Sequence, residues 1–236
     1  MPGAEPGSIQ PTALAALPDR RQAPSGMTTS ETFDAQVRAA DLDRWLASRF
    51  VADPESRADL MALYAFEAEL MAIPARVSQP LLAEMRFRWW ADQMDGVFAG
   101  QPPKGHPVLG ALAGLVARRG LERGPIDALI EAHIGRMQDA PHDLDALFVG
   151  PMQAAVRVLA GPGHEAQVVE AGRVRGLAWT GRLDAAKALR AAANRALQGL
   201  PVAAFPAVAS AALLRPDTPE PVKRLRLTWA TLQGKI

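Results

Sequence analysis

The sequence predicts an all-α protein, and three observations lead to that prediction. Alanine is abundant, aromatic residues make up only 6% of the 236 residues, and runs of β-branched residues are scarce, a bias that favours helices over sheet. Apolar residues recur at helical spacing between prolines, glycines and capping residues. No segment shows the strict alternation of apolar and polar residues that is typical of a strand.

The N-terminal residues differ in composition from the rest of the chain. Residues 1–27 are rich in proline and glycine and have no apolar periodicity, so we predict a disordered N-terminal tail. Thr28 and Glu31 have the spacing of a capping box, and the helical domain is therefore predicted to span residues 28–236. Met27 immediately precedes this cap, so a translation start at Met27 is an alternative to one at Met1.

A series of helices with short connections is predicted for the domain. Asp53 and Pro54 open the second helix, because Asp caps a helix and Pro suits its first position. Pro74 ends or kinks that helix. In chain order, the predicted helices cover about 30–50, 54–74, 80–99, 106–119, 125–140, 143–159, 165–183 and 184–200, with a final pair between 206 and 236.

Composition excludes several classes of function. The net charge of +1 leaves no electrostatic footprint for nucleic acid. The chain has no cysteine, which excludes disulfides, thiolate nucleophiles and thiolate-bound metals. No segment reaches the roughly 18 apolar residues of a transmembrane helix. Four basic residues near the C-terminus are interpreted as a solvated helix face: Lys223, Arg224, Arg226 and Lys235.

Five short motifs follow one another within residues 30–160. They are LYAF at 63–66, MRFRWWADQMD at 85–95, HPVL at 106–109, RGL at 119–121 and LIEA at 129–132. In this order and spacing they resemble the squalene/phytoene synthase family. The resemblance implies a single-domain helical bundle of isoprenoid-synthase type, shortened here in its C-terminal half.

The acidic residues that such enzymes need are missing. Family members join two prenyl diphosphates, and Mg²⁺ must neutralise the diphosphate leaving group. Mg²⁺ prefers oxygen ligands, which the enzymes supply as carboxylates from two facing helices. The first set of these positions falls on Met71, Ala72 and Ala75, and the second on 176–183, which contains no carboxylate. The resemblance therefore implies a pseudoenzyme with no catalytic residue, metal ligand or cofactor.

Two further patterns resemble a non-catalytic branch of the family, namely the complex I assembly factor and its bacterial relatives. One is YAFEAEL at 64–70, in which the branch shares Tyr-Ala-Phe and the later Glu-Leu, and the other is VSQPL at 77–81. This resemblance implies an assembly factor or accessory subunit of NADH:quinone oxidoreductase, with complex I subunits as partners. It also implies a location in the cytoplasm or at the periphery of the inner face of the respiratory membrane.

Two glutamates remain near the lost motif. Glu67 and Glu69 are two residues apart, so they point to roughly opposite sides of a helix and cannot chelate one ion. Glu67 falls on the apolar stripe of its helix. We therefore predict that it forms a structural ion pair, with Arg86 or Arg88 as its partner.

The other ionisable residues are interpreted as structural. Two acidic pairs have same-face spacing and are predicted to be solvated: Asp92 with Asp95, and Asp127 with Glu131. The four histidines show no metal-ligand spacing: His106, His133, His142 and His164.

Tryptophans are the candidate contact residues. Adjacent helical residues diverge by about 100°, so of Trp89 and Trp90 one is expected in the core and the other at a groove. We predict that Trp89 is in the core and that Trp90 lines the groove or the former prenyl cavity. Trp179 and Trp229 are predicted to anchor a partner, since tryptophan is enriched at interface hot spots.

Two other functions stay open at this stage. One is a Mg²⁺-dependent prenyl diphosphate transferase whose metal ligands have moved. The other is an isoprenoid- or lipid-binding module that has kept the apolar cavity, which is compatible with a role beside a quinone-reducing enzyme. Both depend on whether a cavity of sufficient size persists.

Overall fold

The computed structural model describes residues 28–77 and 79–236, and within them the chain forms eleven α-helices and no strand. This confirms the predicted all-α class. In the same residues no helix is both long enough and apolar enough to cross a membrane. The prediction of a disordered tail at residues 1–27 lies outside the described residues.

Most of the predicted helices are present, and several are divided into shorter segments. The α-helices are α1 (Thr29–Ala40), α2 (Leu42–Ser48), α3 (Pro54–Arg76), α4 (Pro80–Phe98), α5 (Pro107–Arg119), α6 (Arg123–Met137), α7 (Gly150–Ala160), α8 (Val169–Trp179), α9 (Leu183–Ala196), α10 (Phe205–Val208) and α11 (Glu220–Gln233). A π-helical segment, Asp145–Val149, leads into α7. Three 3₁₀ segments precede α8 or flank α10: Glu165–Val168, Val202–Ala204 and Ala209–Ala212.

The first predicted helix is in fact two helices that meet at Asp41. The backbone of Asp41 leaves the helical region, with φ −145° and ψ 84°, and its N–H donates to the carbonyl of Val37. Its carboxylate accepts a hydrogen bond from the backbone N–H of Arg44 and so caps α2. The chain therefore turns at residue 41, where the apolar periodicity alone predicted a continuous helix. The capping box of Thr28 and Glu31 is confirmed at the start of α1.

Helix α3 is the centre of the domain. It begins as predicted, with the Asp53 carboxylate accepting a hydrogen bond from the N–H of Ser56 and Pro54 in the first position. Its middle is buried on almost every side, because α3 packs against α1, α5 and α7. Leu60, Phe66 and Leu70 have no exposed surface. The helix continues two residues past Pro74 before it ends.

Two glycines allow α8 to lie close to the π-helical segment. A Cβ atom on Gly172 would come within 2.8 Å of the Val149 Cα, and one on Gly176 within 2.9 Å of the Phe148 ring. Real Cβ atoms do not approach that closely, so any larger residue would push the two segments apart. The two glycines therefore keep α8 in close contact with the π-helical segment.

The C-terminal helix α11 packs against α2 and the 3₁₀ segment Ala209–Ala212. Its inner face carries Leu227 and, against the prediction of a solvated basic face, Lys223, which is only 5% exposed. The Lys223 ammonium lies 2.7 Å from the carboxylate of Asp43 on α2, and this partner explains why the charge can be buried. The three other basic residues of the predicted face are exposed: Arg224, Arg226 and Lys235.

Candidate functional site

A cavity of about 80 Å³ lies between α1, α2, α3, α6, the π-helical segment and α8. Apolar side chains and a group of charged ones line it together. The charged or polar lining residues are Asp41, Arg44, Tyr64, Glu67, His133, Arg136 and Arg175.

Two ion pairs form the polar side of the cavity. Arg44 on α2 donates a short hydrogen bond to Glu67 on α3. Arg175 on α8 donates to Asp41, with 2.6 Å between nitrogen and oxygen, and Asp41 also lies 3.6 Å from the Arg44 guanidinium. The Tyr64 ring lies 4.9 Å from the Arg44 guanidinium carbon. The charges of the two arginines and the two carboxylates cancel, and these ion pairs connect α2, α3 and α8.

The pKa values within this cluster follow from burial and from the neighbouring charges. Burial disfavours the charged form of Arg44, but the carboxylates of Glu67 and Asp41 outweigh it and raise the pKa of the guanidinium. Burial raises the pKa of Glu67, which Arg44 opposes. Burial likewise works to raise the pKa of Asp41, but Arg175 and Arg44 outweigh it and lower that pKa. Burial raises the pKa of the Tyr64 phenol, which is therefore neutral at physiological pH.

Two polar atoms of the cluster have no hydrogen-bond partner among the described residues. They are Oε1 of Glu67 and Nε of Arg175. Buried polar atoms are normally satisfied, often by an internal water that occupies about 30 Å³. A cavity of about 80 Å³ has room for two such waters.

Of the positions at which the family resemblance implies metal ligands, Met71 and Trp179 line this cavity. Met71, on the α3 side, lines the cavity and is 48% exposed. Trp179, on the α8 side, lines it as well and is 45% exposed. The two carboxylates that do line the cavity, Asp41 and Glu67, are each engaged by a guanidinium. The residues present therefore do not fit a Mg²⁺ site, and the described part of the chain has no group of three His, Asp or Glu side chains that could hold a metal.

The predicted ion pair of Glu67 exists, but its predicted partner was wrong. Glu67 pairs with Arg44, whereas Arg88 pairs with Glu84 at 2.7 Å within α4. The reason is the direction of Glu67, which points from α3 toward α2 and not toward α4. Glu69 points elsewhere, as predicted, and binds Arg76 at 2.7 Å.

The predicted roles of Trp89 and Trp90 are exchanged. Trp90 is 4% exposed and packs edge-on against Phe66, with 5.5 Å between ring centroids, so it is a core residue and not a groove residue. Trp89 is 42% exposed. The buried face of α4 runs through Phe87, Trp90 and Met94, so the helix turns Trp90 inward and leaves Trp89 at the surface.

The two other candidate tryptophans are both exposed, in different places. Trp179 lies beside the cavity, with the Phe148 ring centroid 5.5 Å away and the Arg136 guanidinium 5.2 Å from its own centroid. Trp229 is 62% exposed on α11 and lines a separate groove between α9 and α11. The structure does not bring Trp90, Trp179 and Trp229 together into one site.

The acidic pairs and the histidines have structural surroundings. Asp92, Asp95 and Glu131 are exposed, and Asp127 is half-buried; Arg123 bridges Asp95 at 2.6 Å and Asp127 at 2.9 Å. His106 caps α5 through a 3.4 Å hydrogen bond from the N–H of Leu109.

His133, which was predicted only to lack metal-ligand spacing, is a residue of the cavity lining. It is 2% exposed and stacks on Phe87, with 5.2 Å between ring centroids. Burial and the nearby Arg136 lower its pKa to about 4, so the imidazole is neutral at pH 7. Its spacing from Leu129, four residues earlier on the buried face of α6, is the signal that could have indicated its position.

Comparison with known proteins identifies one family. The model of the squalene/phytoene synthase family matches residues 37–149, which include most of the cavity lining but not Arg175 or Trp179. Searches of curated proteins and of solved structures found no match. Over residues 37–149, this all-α chain is similar to the squalene/phytoene synthase family.

Proposed function

We propose that the protein is a non-catalytic relative of squalene/phytoene synthases that associates with respiratory complex I, as an assembly factor or accessory subunit. The observation that carries the non-catalytic part is the mouth of the cavity. Met71 and Trp179 line the cavity at positions for which the family resemblance implies carboxylates that bind Mg²⁺. Without charge compensation a diphosphate cannot leave, so the first step of the family's chemistry has no support here.

The size of the cavity supports the same proposal. Pockets that hold drug-sized ligands have volumes of roughly 300–1,000 Å³, whereas this one has about 80 Å³. A farnesyl chain does not fit into that space. The same limit argues against an isoprenoid- or lipid-binding role for this cavity. Arg44, Glu67, Asp41 and Arg175 fill the space and fasten three helices together.

The link to complex I depends on the sequence resemblance. In the segment 64–70 the aromatic and leucine residues are buried in α3, so in this chain the pattern belongs to the core and is not itself a contact surface. Partner contacts are therefore proposed for exposed positions, of which Trp179 and Trp229 are the tryptophan candidates. The proposed location is the cytoplasm or the periphery of the inner face of the respiratory membrane.

Two measurements test the proposal. Purified full-length protein is incubated with farnesyl or geranylgeranyl diphosphate, Mg²⁺ and reductant, and released pyrophosphate is measured. No release above background is expected. Turnover that disappears in Asp92→Ala/Asp95→Ala, the exposed acidic pair, would contradict the non-catalytic role.

The second measurement is genetic. Deletion of the gene should lower the NADH:quinone oxidoreductase activity of membranes, and a tagged full-length protein should co-migrate with complex I subunits on native gels. Asp92→Ala/Asp95→Ala should restore activity as well as the wild type, because no carboxylate chemistry is involved. Normal complex I in the deletion strain would rule out the proposed partner without affecting the biochemical result.

A further inference from the structure

Helix α11 has a second apolar face that the fold does not use. Its buried residues, such as Leu227 and Ala230, pack against the body of the domain. On the opposite side, four large apolar side chains follow one another at helical spacing (i, i+3, i+7 and i+10) and are 40%, 71%, 62% and 77% exposed. This outer stripe consists of Val222, Leu225, Trp229 and Leu232.

The surroundings of the outer stripe are basic. A groove of about 880 Å³ between α9 and α11 borders it, and no Asp or Glu lines that groove. Its five cationic lining residues are Lys187, Arg190, Arg215, Arg226 and Lys235. Arg215, Arg226 and Lys235 are exposed and form no ion pair within residues 28–77 and 79–236. The acidic residue of α11, Glu220, is paired with Arg224 at 2.6 Å.

We propose that this surface binds an anionic lipid bilayer, with α11 lying parallel to the membrane plane. The outer stripe would enter the boundary between headgroups and acyl chains, as in other interfacial amphipathic helices. Tryptophan is favoured at that depth, which suits Trp229. The basic residues beside the stripe would lie among the phosphate groups, where each cation strengthens binding to anionic lipid.

Charge and shape favour a bilayer over other occupants. A second copy of the chain would bring two sets of the same cations together, and like charges would oppose that contact. The side chains of Leu225 and Leu232 are 71% and 77% exposed, and a bilayer can cover both without a counterpart surface of matching shape. This proposal assigns Trp229 to lipid and leaves Trp179 as the candidate contact with a protein partner, and vesicle binding can be measured without complex I.

The test uses the full chain and vesicles of two compositions, phosphatidylcholine alone and phosphatidylcholine with an equal part of phosphatidylglycerol. Flotation should recover the protein with the anionic vesicles only, and added salt should weaken binding. Leu225→Glu/Trp229→Glu/Leu232→Glu should lower partitioning at least about tenfold. Arg215→Gln/Arg226→Gln/Lys235→Gln should lower it about fivefold per removed charge and abolish the preference for anionic lipid.

Helix α4 offers a matched control. Leu81, Leu82 and Met85 are also exposed apolar residues, at 65%, 44% and 45%. Leu81→Glu/Leu82→Glu/Met85→Glu should bind vesicles like the wild type, and circular dichroism verifies that each variant folds. Equal loss in this control, or full binding by the α11 variant, would overturn the proposal.

Two other results would assign the outer stripe to a different occupant. Absence of vesicle binding together with a dimer that the α11 substitutions dissociate would make the stripe an interface between copies of this chain. Absence of vesicle binding together with loss of a co-purifying protein in the α11 variant would make it a protein interface. Either result would overturn the membrane proposal.

Discussion

Glu67 is a carboxylate in an almost fully buried position, and its surroundings explain why it is tolerated there. Its side chain is 10% exposed, and the Arg44 guanidinium engages one of its oxygens. Removing one member of a buried pair leaves the other charge without compensation, which costs more than the pair itself contributes. Glu69, two residues later on the same helix, is more exposed and its partner Arg76 is 38% exposed.

This contrast gives a prediction with a built-in control. Glu67→Leu should lower the free energy of unfolding by about 3 kcal/mol, because the buried Arg44 then keeps only one neighbouring carboxylate, that of Asp41. Glu69→Leu, the same substitution at a solvent-screened pair, should cost less than about 1 kcal/mol. Urea denaturation of the two variants measures both values. Equal losses of stability would show that the buried Arg44–Glu67 pair contributes no more than the more exposed Arg76–Glu69 pair.

His133 couples the stability of the domain to pH. Its pKa is lowered from 6.5 to about 4 in the folded state, first by burial and then by Arg136. Between these values the unfolded chain binds a proton that the folded chain does not, so stability is complete above about pH 6.5 and falls as the pH decreases toward 4. From pH 7 to pH 5 this single group should remove about 2 kcal/mol.

The test of this pH dependence is a substitution that cannot titrate. Urea denaturation at pH 7 and at pH 5 gives the decrease in the free energy of unfolding between these two pH values. This decrease should be about 2 kcal/mol smaller for His133→Gln than for the wild type. The stability of the variant at pH 7 is compared separately, since it loses the stacking contact with Phe87. The same decrease in both proteins would mean that His133 is not responsible for it.

The cavity residues show what sequence patterns can and cannot predict at this scale. The loss of carboxylates at Met71 was visible because a resemblance supplied the positions to inspect. The pairing of Glu67 with Arg44 was not, since the partner comes from a different helix and the choice between several arginines depends on helix orientation. Arg175, 134 residues from Asp41 along the chain, has no local signal at all.

At the scale of elements, α4 shows the effect of predicting the wrong buried face of a helix. The error places Trp89 in the core and Trp90 at the surface, whereas the structure has them the other way round. Apolar residues occur on more than one face of this helix, so its periodicity was compatible with either tryptophan facing inward. Packing against α5 and α6 selects the face with Phe87, Trp90 and Met94. Helix ends were predicted better than helix faces, because Pro and Gly act locally: α5 begins at Pro107 and is terminated by Gly120 in the left-handed conformation.

The exchange of roles predicts unequal effects of the same substitution. Trp90→Ala should destabilise the domain by roughly 3–5 kcal/mol, since it removes a buried ring that contacts Phe66. Trp89→Ala should cost no more than about 1 kcal/mol, as expected for an exposed side chain. Thermal or urea unfolding compares the two directly. If Trp89→Ala lost more stability than Trp90→Ala, Trp89 would be the core residue, as the sequence predicted.

At the scale of the whole molecule, the part that matches the family and the part that does not share one core. The match ends at residue 149, the last residue of the π-helical segment. A single cluster of buried apolar residues nevertheless extends from Phe33 to Ile236. Several ion pairs also cross between the parts, among them Arg175 with Asp41 at 2.6 Å and Lys223 with Asp43 at 2.7 Å. The C-terminal helices are therefore an integral part of the domain.

Because the core is shared, the domain should unfold in one cooperative transition. Far-ultraviolet circular dichroism reports on all helices, whereas fluorescence of Trp179→Phe/Trp229→Phe reports only on Trp45, Trp89 and Trp90, which lie in the matching part. In this variant, the two signals should have the same urea midpoint. Lys223→Met, which leaves Asp43 buried without its partner, should lower the midpoint of both signals together, by the equivalent of about 3 kcal/mol. Separate midpoints would show that residues 37–149 form an independent unit to which the C-terminal helices are merely attached.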